Sequence, residues 1–151
     1  MSKKELQVSA IDNGTVIDHI PANKLFDVIN VLGLERLEHA MTFGANLNSR
    51  KLGKKAIIKI WDKFLEDDEI NKLALVAPSA HINIIRDYEV VEKKTIEVPE
   101  TVEGIVRCVN PKCITNNESV RTKFAVVKDE PITLKCHYCE KLTDKEHMEI
   151  L

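Results

Sequence analysis

The placement of the four cysteines constrains this chain more than any other feature. They read Cys108-x4-Cys113-x22-Cys136-x2-Cys139 within the last 44 of 151 residues, and residues 1–107 have none. Each close pair can reach one metal ion from a tight turn. The intervening segment is long enough for a hairpin that brings the pairs together. Thiolates are soft ligands that suit zinc, and four of them fill a tetrahedral shell. A filled shell leaves no position for water or substrate, so the expected ion is structural. Iron accepts the same ligand set. Four unligated buried cysteines are the bland alternative, although scattered core cysteines rarely fall into two such pairs. His137, between Cys136 and Cys139, is expected to face solvent or to support the site rather than to ligate.

A cysteine-free stretch followed by a cysteine-bearing one predicts two domains, 1–98 and 99–151, meeting near Val98-Pro99-Glu100. A core of about fifty residues is marginal alone, and metal binding adds to its folding free energy. Charge is balanced throughout: 14 Lys+Arg face 15 Asp+Glu in residues 1–99, and 8 face 9 in residues 100–151. That balance argues against a dedicated nucleic-acid binder, and an aromatic content of 5% weakens any base-stacking surface. No apolar run approaches the roughly 20 residues that span a bilayer. The start, Met1 to Glu5, is basic at first but has no apolar stretch behind it, so no signal peptide is expected. The expected compartment is the cytoplasm, where thiols stay reduced.

The first domain alternates strand and helix signals. Leu6–Ala10 alternates with period two, Asp12-Asn13-Gly14 reads as a turn, and Thr15–Ile20 resumes as strand. Pro21 opens a helical stripe, Ala22, Leu25, Phe26 and Ile29, with Gly33 as its C-cap. Met41–Leu47 and Ala56–Trp61 read as strands around a polar turn at 48–55. Glu66-Asp67-Asp68-Glu69 opens a second helix whose stripe is Ile70, Leu73, Ala74 and Ala77, ended by Pro78. Ala80–Ile85 and Tyr88–Lys93 follow as strands, with Arg86-Asp87 as their turn. The order β-β, α, β-β, α, β-β predicts an α+β, ferredoxin-like domain: an antiparallel sheet with two helices packed on one face. Short strand-like pieces at 105–108, 124–127, 132–135 and 147–151 predict a small β-rich zinc-binding domain after it.

The first domain has no Gly-rich phosphate loop and no catalytic set: His19, His39 and His81 lie apart, without nucleophiles beside them. A nucleotide site here would use strand lysines as point charges for phosphates, with Lys55, Lys59 and Lys93 as candidates. Alternation puts Lys59 on the face of Ile57, opposite Ile58 and Ile60. The bland reading is that such lysines solvate an open face or blunt an edge. Asp18-His19 is read as a strand end or a hydrogen-bonding clamp, and the Arg50–Lys55 stretch as a solvated hairpin tip.

The strings LQVSAIDNGTVIDHIPA at 6–22, LALVAP at 73–78, IRDYEVVEK at 85–93, FAV at 124–126 and LKCHYCEK at 134–141 resemble the regulatory chain of aspartate carbamoyltransferase. The likeness runs from about Leu6 to Lys141. It implies a subunit without activity of its own, acting in pyrimidine biosynthesis. It implies that the first domain binds nucleoside triphosphates with Mg2+, CTP and UTP inhibiting and ATP activating. It implies that regulatory dimers bridge two catalytic trimers through a zinc domain docked on the catalytic chain. Carried over by position, the nucleotide residues are Ala10, Ile11, Asp18 and His19, then Lys55 and Lys59. Asn83, Ile85, Tyr88, Val90 and Lys93 complete them. The resemblance gives the phosphates to Lys59 and Lys93, the base edge to backbone near Ile11 and Tyr88, and the ribose to Asp18 and Asn83. Asn110 and Glu140 match polar positions at the catalytic-chain interface, whereas Lys112 and the stretch 116–123 depart from it. A nucleic-acid-binding zinc ribbon and a zinc enzyme with an open coordination position are the competing classes.

Overall fold

A computed structural model describes residues 10–129 and 131–151. It divides into two compact units, the first ending at Glu97 and the second spanning Val98–Leu151. The first unit holds β1 (Asn13–Pro21), α1 (Leu25–Val31), β2 (Met41–Ser49), β3 (Gly53–Trp61), α2 (Asp67–Val76), β4 (His81–Arg86) and β5 (Glu89–Thr95). These form one antiparallel sheet in the order β2-β3-β1-β4-β5. That is the split βαβ arrangement with one added edge strand, the expected α+β class.

Pleat alternation divides the sheet into two unlike faces. Ile17 sits opposite Ile58 and Ile82, and Thr15 opposite Ile60 and Ile84. Ile17, Ile20, Ile58, Ile60 and Ile82 are at most 1% exposed, as befits the face that the helices cover. α1 contributes Leu25, Val28 and Val31 to this core, and α2 contributes Leu73, Ala74 and Leu75. The α2 N-terminus carries Asp67, Asp68 and Glu69 where the helix dipole favours acids, and Glu69 accepts the Glu66 N–H at 3.0 Å.

Several local expectations need correction. Asn13 and Gly14 do not form a turn; both belong to β1. Gly14 has φ +143°, and a Cβ there would meet the Ile60 carbonyl oxygen at 2.0 Å, so glycine serves close strand approach. The strand expected at Leu6–Ala10 lies outside the described residues except for Ala10, which is exposed. The first helix does not bury Phe26, which is 75% exposed. A 3-10 turn at Ala22–Lys24 precedes the short α1 and rotates the phase, so Val28 rather than Phe26 faces inward. The polar turn after β2 is shorter than expected, because β2 and β3 extend to Ser49 and from Gly53. The β4–β5 turn is Asp87-Tyr88, both with positive φ, one residue later than expected.

The second unit has a four-stranded antiparallel sheet ordered β10-β9-β8-β6 and a two-stranded pair, β11 with β7. These are β6 (Thr101–Glu103), β7 (Val106–Arg107), β8 (Lys123–Asp129), β9 (Ile132–Cys136), β10 (Leu142–Asp144) and β11 (Glu149–Ile150). Phe124, Ile132, Leu134 and Val102 make its core. A short helix, α3 (Ile114–Asn117), follows the second cysteine.

Gly14→Ala is expected to destabilise the first unit by about 3 kcal/mol, because the added methyl meets backbone rather than a movable side chain. Trp61, the chain's single tryptophan, pairs with Gly14 and reports this unit during urea unfolding. An unchanged urea midpoint would contradict the close strand approach.

Candidate functional site

The four cysteines of the second unit converge, with one ligand atom from each within 4.8 Å of the others. Cys108 Sγ lies 3.5 Å from Cys139 Sγ, and Cys113 Sγ lies 3.7 Å from Cys136 Sγ. These spacings are too long for disulfides, and all four are free thiols. Four sulfurs about 2.3 Å from a central zinc would stand about 3.8 Å apart, so the spacing fits a tetrahedral thiolate site. Two turns build it. In the first, the Cys113 N–H donates to the Asn110 carbonyl at 2.9 Å, and Asn116 Nδ2 donates to the carbonyls of Cys108 and Asn110. In the second, the Glu140 N–H donates to the Cys136 carbonyl at 3.0 Å, with Glu140 at φ +63°. Thr115 Oγ1 donates to Cys113 Sγ at 3.2 Å.

Electrostatics at this cluster favour a cation. Burial, with Cys139 and Cys113 alongside, pushes the Cys108 thiol up to about 12. Burial likewise raises Cys136. Burial opposes ionisation of Cys139 too, but the Lys141 N–H, Asn110 and the neighbouring thiols bring it down to about 7. A divalent ion held by the cluster stabilises thiolate against this burial. His137 is exposed and lies edge-on against Tyr138, 5.0 Å between ring centroids, outside the sulfur cluster. Asn110 is half-buried, and Glu140 and Lys112 are exposed.

In the first unit, the face away from the helices gathers most of the residues proposed from sequence. Val16 stands opposite both Lys59 and Asn83, and Asn83 stands opposite Lys93. Asp18 stands opposite His81, and Ile85 opposite Val90. Strict alternation would put Asp18 and His19 on opposite faces, and likewise Val90 and Lys93. Two bulges prevent this. Between Ile17 and Ile20, β1 has one residue more than β3, and His19 takes φ +59°. Between Val90 and Glu92, β5 has one residue more than β4. Each extra residue restores the phase beyond it.

One end of this face is apolar. Ile11, Val16 and Ile85 form a small buried cluster, with Ile57 and Trp61 packed against it. The other end is polar and mostly basic. Lys55 Nζ lies 2.9 Å from Asp18 Oδ1, the His19 N–H donates to the same oxygen at 2.7 Å, and His19 and His81 are in ring contact at 4.6 Å. Partial burial lowers the Lys59 ammonium below the ordinary lysine value, with Asp18 opposing the shift. Tyr88 is 71% exposed at the turn, and its N–H already donates to the Asp12 carbonyl at 3.0 Å. Any base-edge contact at Tyr88 therefore falls to its carbonyl oxygen. Ala10 lies at the start of the described chain beside Ile11 and is exposed. His19 and His81, expected from sequence to lie apart, are neighbours, because β4 pairs with β1 and sets His81 opposite Asp18.

Comparisons with known proteins match both units. Residues 6–97 match the family described as aspartate carbamoyltransferase regulatory chain, allosteric domain. Residues 100–149 match the metal binding domain of the same regulatory chain. A protein named aspartate carbamoyltransferase regulatory chain from Bacteroides thetaiotaomicron is 56% identical over 150 residues, covering 99% of this chain and 98% of the relative. Its counterpart from Parabacteroides distasonis is 55% identical over 148 residues, covering 98% and 96%. The one from Pyrococcus abyssi is 54% identical over 146 residues, covering 95% and 96%. With both domains matched in order and relatives aligned from end to end, the chain belongs to the family of aspartate carbamoyltransferase regulatory chains.

Proposed function

We propose that this chain is a non-catalytic subunit that binds nucleoside triphosphates on the open face of its first unit. It passes their effect to aspartate carbamoyltransferase catalytic chains through a zinc-bearing second unit. The observation that carries the reading is the strand register that collects Asp18, Lys59, Asn83 and Lys93 on one face beside an apolar cluster, with two bulges adding His19 and Val90. A nucleotide is amphiphilic in the same sense: its base needs an apolar bed and its phosphates need cations. Ile11, Val16 and Ile85 supply the bed, with the Tyr88 carbonyl and Val90 at its edge. Lys59 and Lys93 supply charge for the phosphates, with Asn83 between them for the ribose. Asp18 has a second part beside the ribose, because it holds Lys55 and the His19 backbone at the basic end.

In this reading CTP and UTP inhibit and ATP activates, with Mg2+ accompanying the phosphates. The coupling is about 1–3 kcal/mol, the usual size for such effects. It arises because the nucleotide favours one of two quaternary arrangements. Dimers of this chain bridge two catalytic trimers in the cytoplasm. Support for self-association is the exposure of Phe26 in α1 and of Phe43 in the edge strand β2, 75% and 45%. Cys108, Cys113, Cys136 and Cys139 hold one zinc ion, whose contribution is structural: four thiolates saturate it, so it supports docking and no chemistry. Asn110 and Glu140, adjoining the two cysteine turns, are the docking positions.

Two outcomes test this. Lys59→Ala is expected to weaken CTP and ATP binding by about tenfold to a hundredfold, roughly 1.4–3 kcal/mol, with Trp61 fluorescence unchanged. Equal calorimetric titrations for both proteins would remove Lys59 from the pocket. Cys113→Ser is expected to lose the metal and unfold the second unit, so that the chain no longer assembles with catalytic trimers. A metal-free variant that still assembled in full stoichiometry would refute the structural role of zinc.

A further inference from the structure

His81 stands on the open face opposite Asp18 of β1 and Thr95 of β5. Its ring lies 4.6 Å from that of His19, tilted by 34°. The His19 Nδ1 atom is buried and has no hydrogen-bond partner. The nearby Asp18 carboxylate is 3.7 Å away and is already held by Lys55 and by the His19 N–H. Among the described residues, the charged groups that act on the two rings are Asp18 from β1, Lys55 from β3, which is paired to Asp18, and Lys51 from the β2–β3 turn. Lys59 from β3 and Lys93 from β5 share the open face opposite Val16 and Asn83. Asp18 is the single acid in that set. Two imidazoles in contact resist double protonation, and cations around them resist it further. Burial, then His19 and Lys51, hold the His81 imidazolium below the ordinary histidine range, with Asp18 partly offsetting them. A polyanion placed among these groups reverses that balance.

We propose that His81 is a further phosphate-contacting residue of the nucleotide pocket, packed against His19, and that seating a nucleotide polyphosphate draws a proton onto His81. This rests on nucleotide binding at the open face. The complex then holds more protons than the free chain, so affinity rises as pH falls and declines as pH rises between about 6 and 8. The effect belongs to the phosphates and is common to CTP, UTP and ATP.

The test is calorimetric titration of CTP into the full chain, in buffers of different ionisation enthalpy, for the natural protein and His81→Gln. The natural protein is expected to take up a fraction of a proton near pH 7 and to lose on the order of tenfold in affinity from pH 6 to 8. His81→Gln is expected to bind CTP, to lose at least about half of that uptake and to show a flatter pH profile. The terminal phosphate also titrates in this range, so the difference between the two proteins is the readout. Equal proton uptake in both would overturn the proposal while leaving nucleotide binding intact. Absence of CTP binding by the natural protein at every pH would overturn the nucleotide reading and this inference with it. Without any substitution, NMR titration of the His81 ring protons should move to higher pH on adding CTP; an unmoved midpoint with CTP bound would also overturn it.

Discussion

Between Ile17 and Ile20, β1 holds one more residue than the β3 segment opposite it, and the layout of the first unit follows from that pairing. Ile17 and Ile20 are both fully buried against the helices although an odd number of steps separates them. Without the bulge, Ile20 would turn to solvent and His19 would enter the core. Burying an isoleucine contributes about 1.5–3 kcal/mol, whereas a left-handed backbone at His19 costs about 1–2 kcal/mol. Hydrophobic burial therefore fixes the bulge. As a by-product, Asp18 and His19 both reach the open face. The bulge in β5 does the same for Val90 and Lys93. Core packing on the opposite side of the sheet thus brings His19 to a face that plain pairing already gives Asp18, Lys55, Lys59 and Asn83.

The second unit rests on a different principle. Its apolar core is small, built around Phe124 and Leu134, and its cysteine turns point four sulfurs at one centre. Neutral thiols gain little from such convergence, and anionic ones repel. A divalent cation converts that repulsion into attraction and contributes folding free energy that the small core lacks. The same saturation that stabilises the unit removes any open coordination position. Function in this unit therefore resides on its surface.

Much of this was legible in the residues. The cysteine spacing led to the sulfur cluster, and alternation in Ala56–Trp61 placed Lys59 on the face of Ile57 and away from Ile58. Other features were hidden for identifiable reasons. Asn13-Gly14 has turn composition, but its glycine answers to the Ile60 carbonyl of a neighbouring strand, a long-range contact with no local signature. The Phe26 stripe failed because a 3-10 turn shifted the helical phase before α1 began. β6 and β10 are three residues each, too short for a periodic signal. The bulges defeat simple alternation by their nature, so composition alone could not bring Asp18, His19, Val90 and Lys93 to one face; family resemblance named these residues, and register explains why they can act together. His19 and His81 read as separate because their closeness depends on the pairing of β1 with β4, a long-range contact with no local signal.

Lysine footprinting by reductive methylation, with and without CTP, tests the open face most directly. Lys55, Lys59 and Lys93 should be protected by CTP, while Lys24 and Lys72, on the helical elements, should react equally in both samples. Protection confined to the helical lysines, or no protection at nucleotide concentrations that saturate binding, would contradict the account.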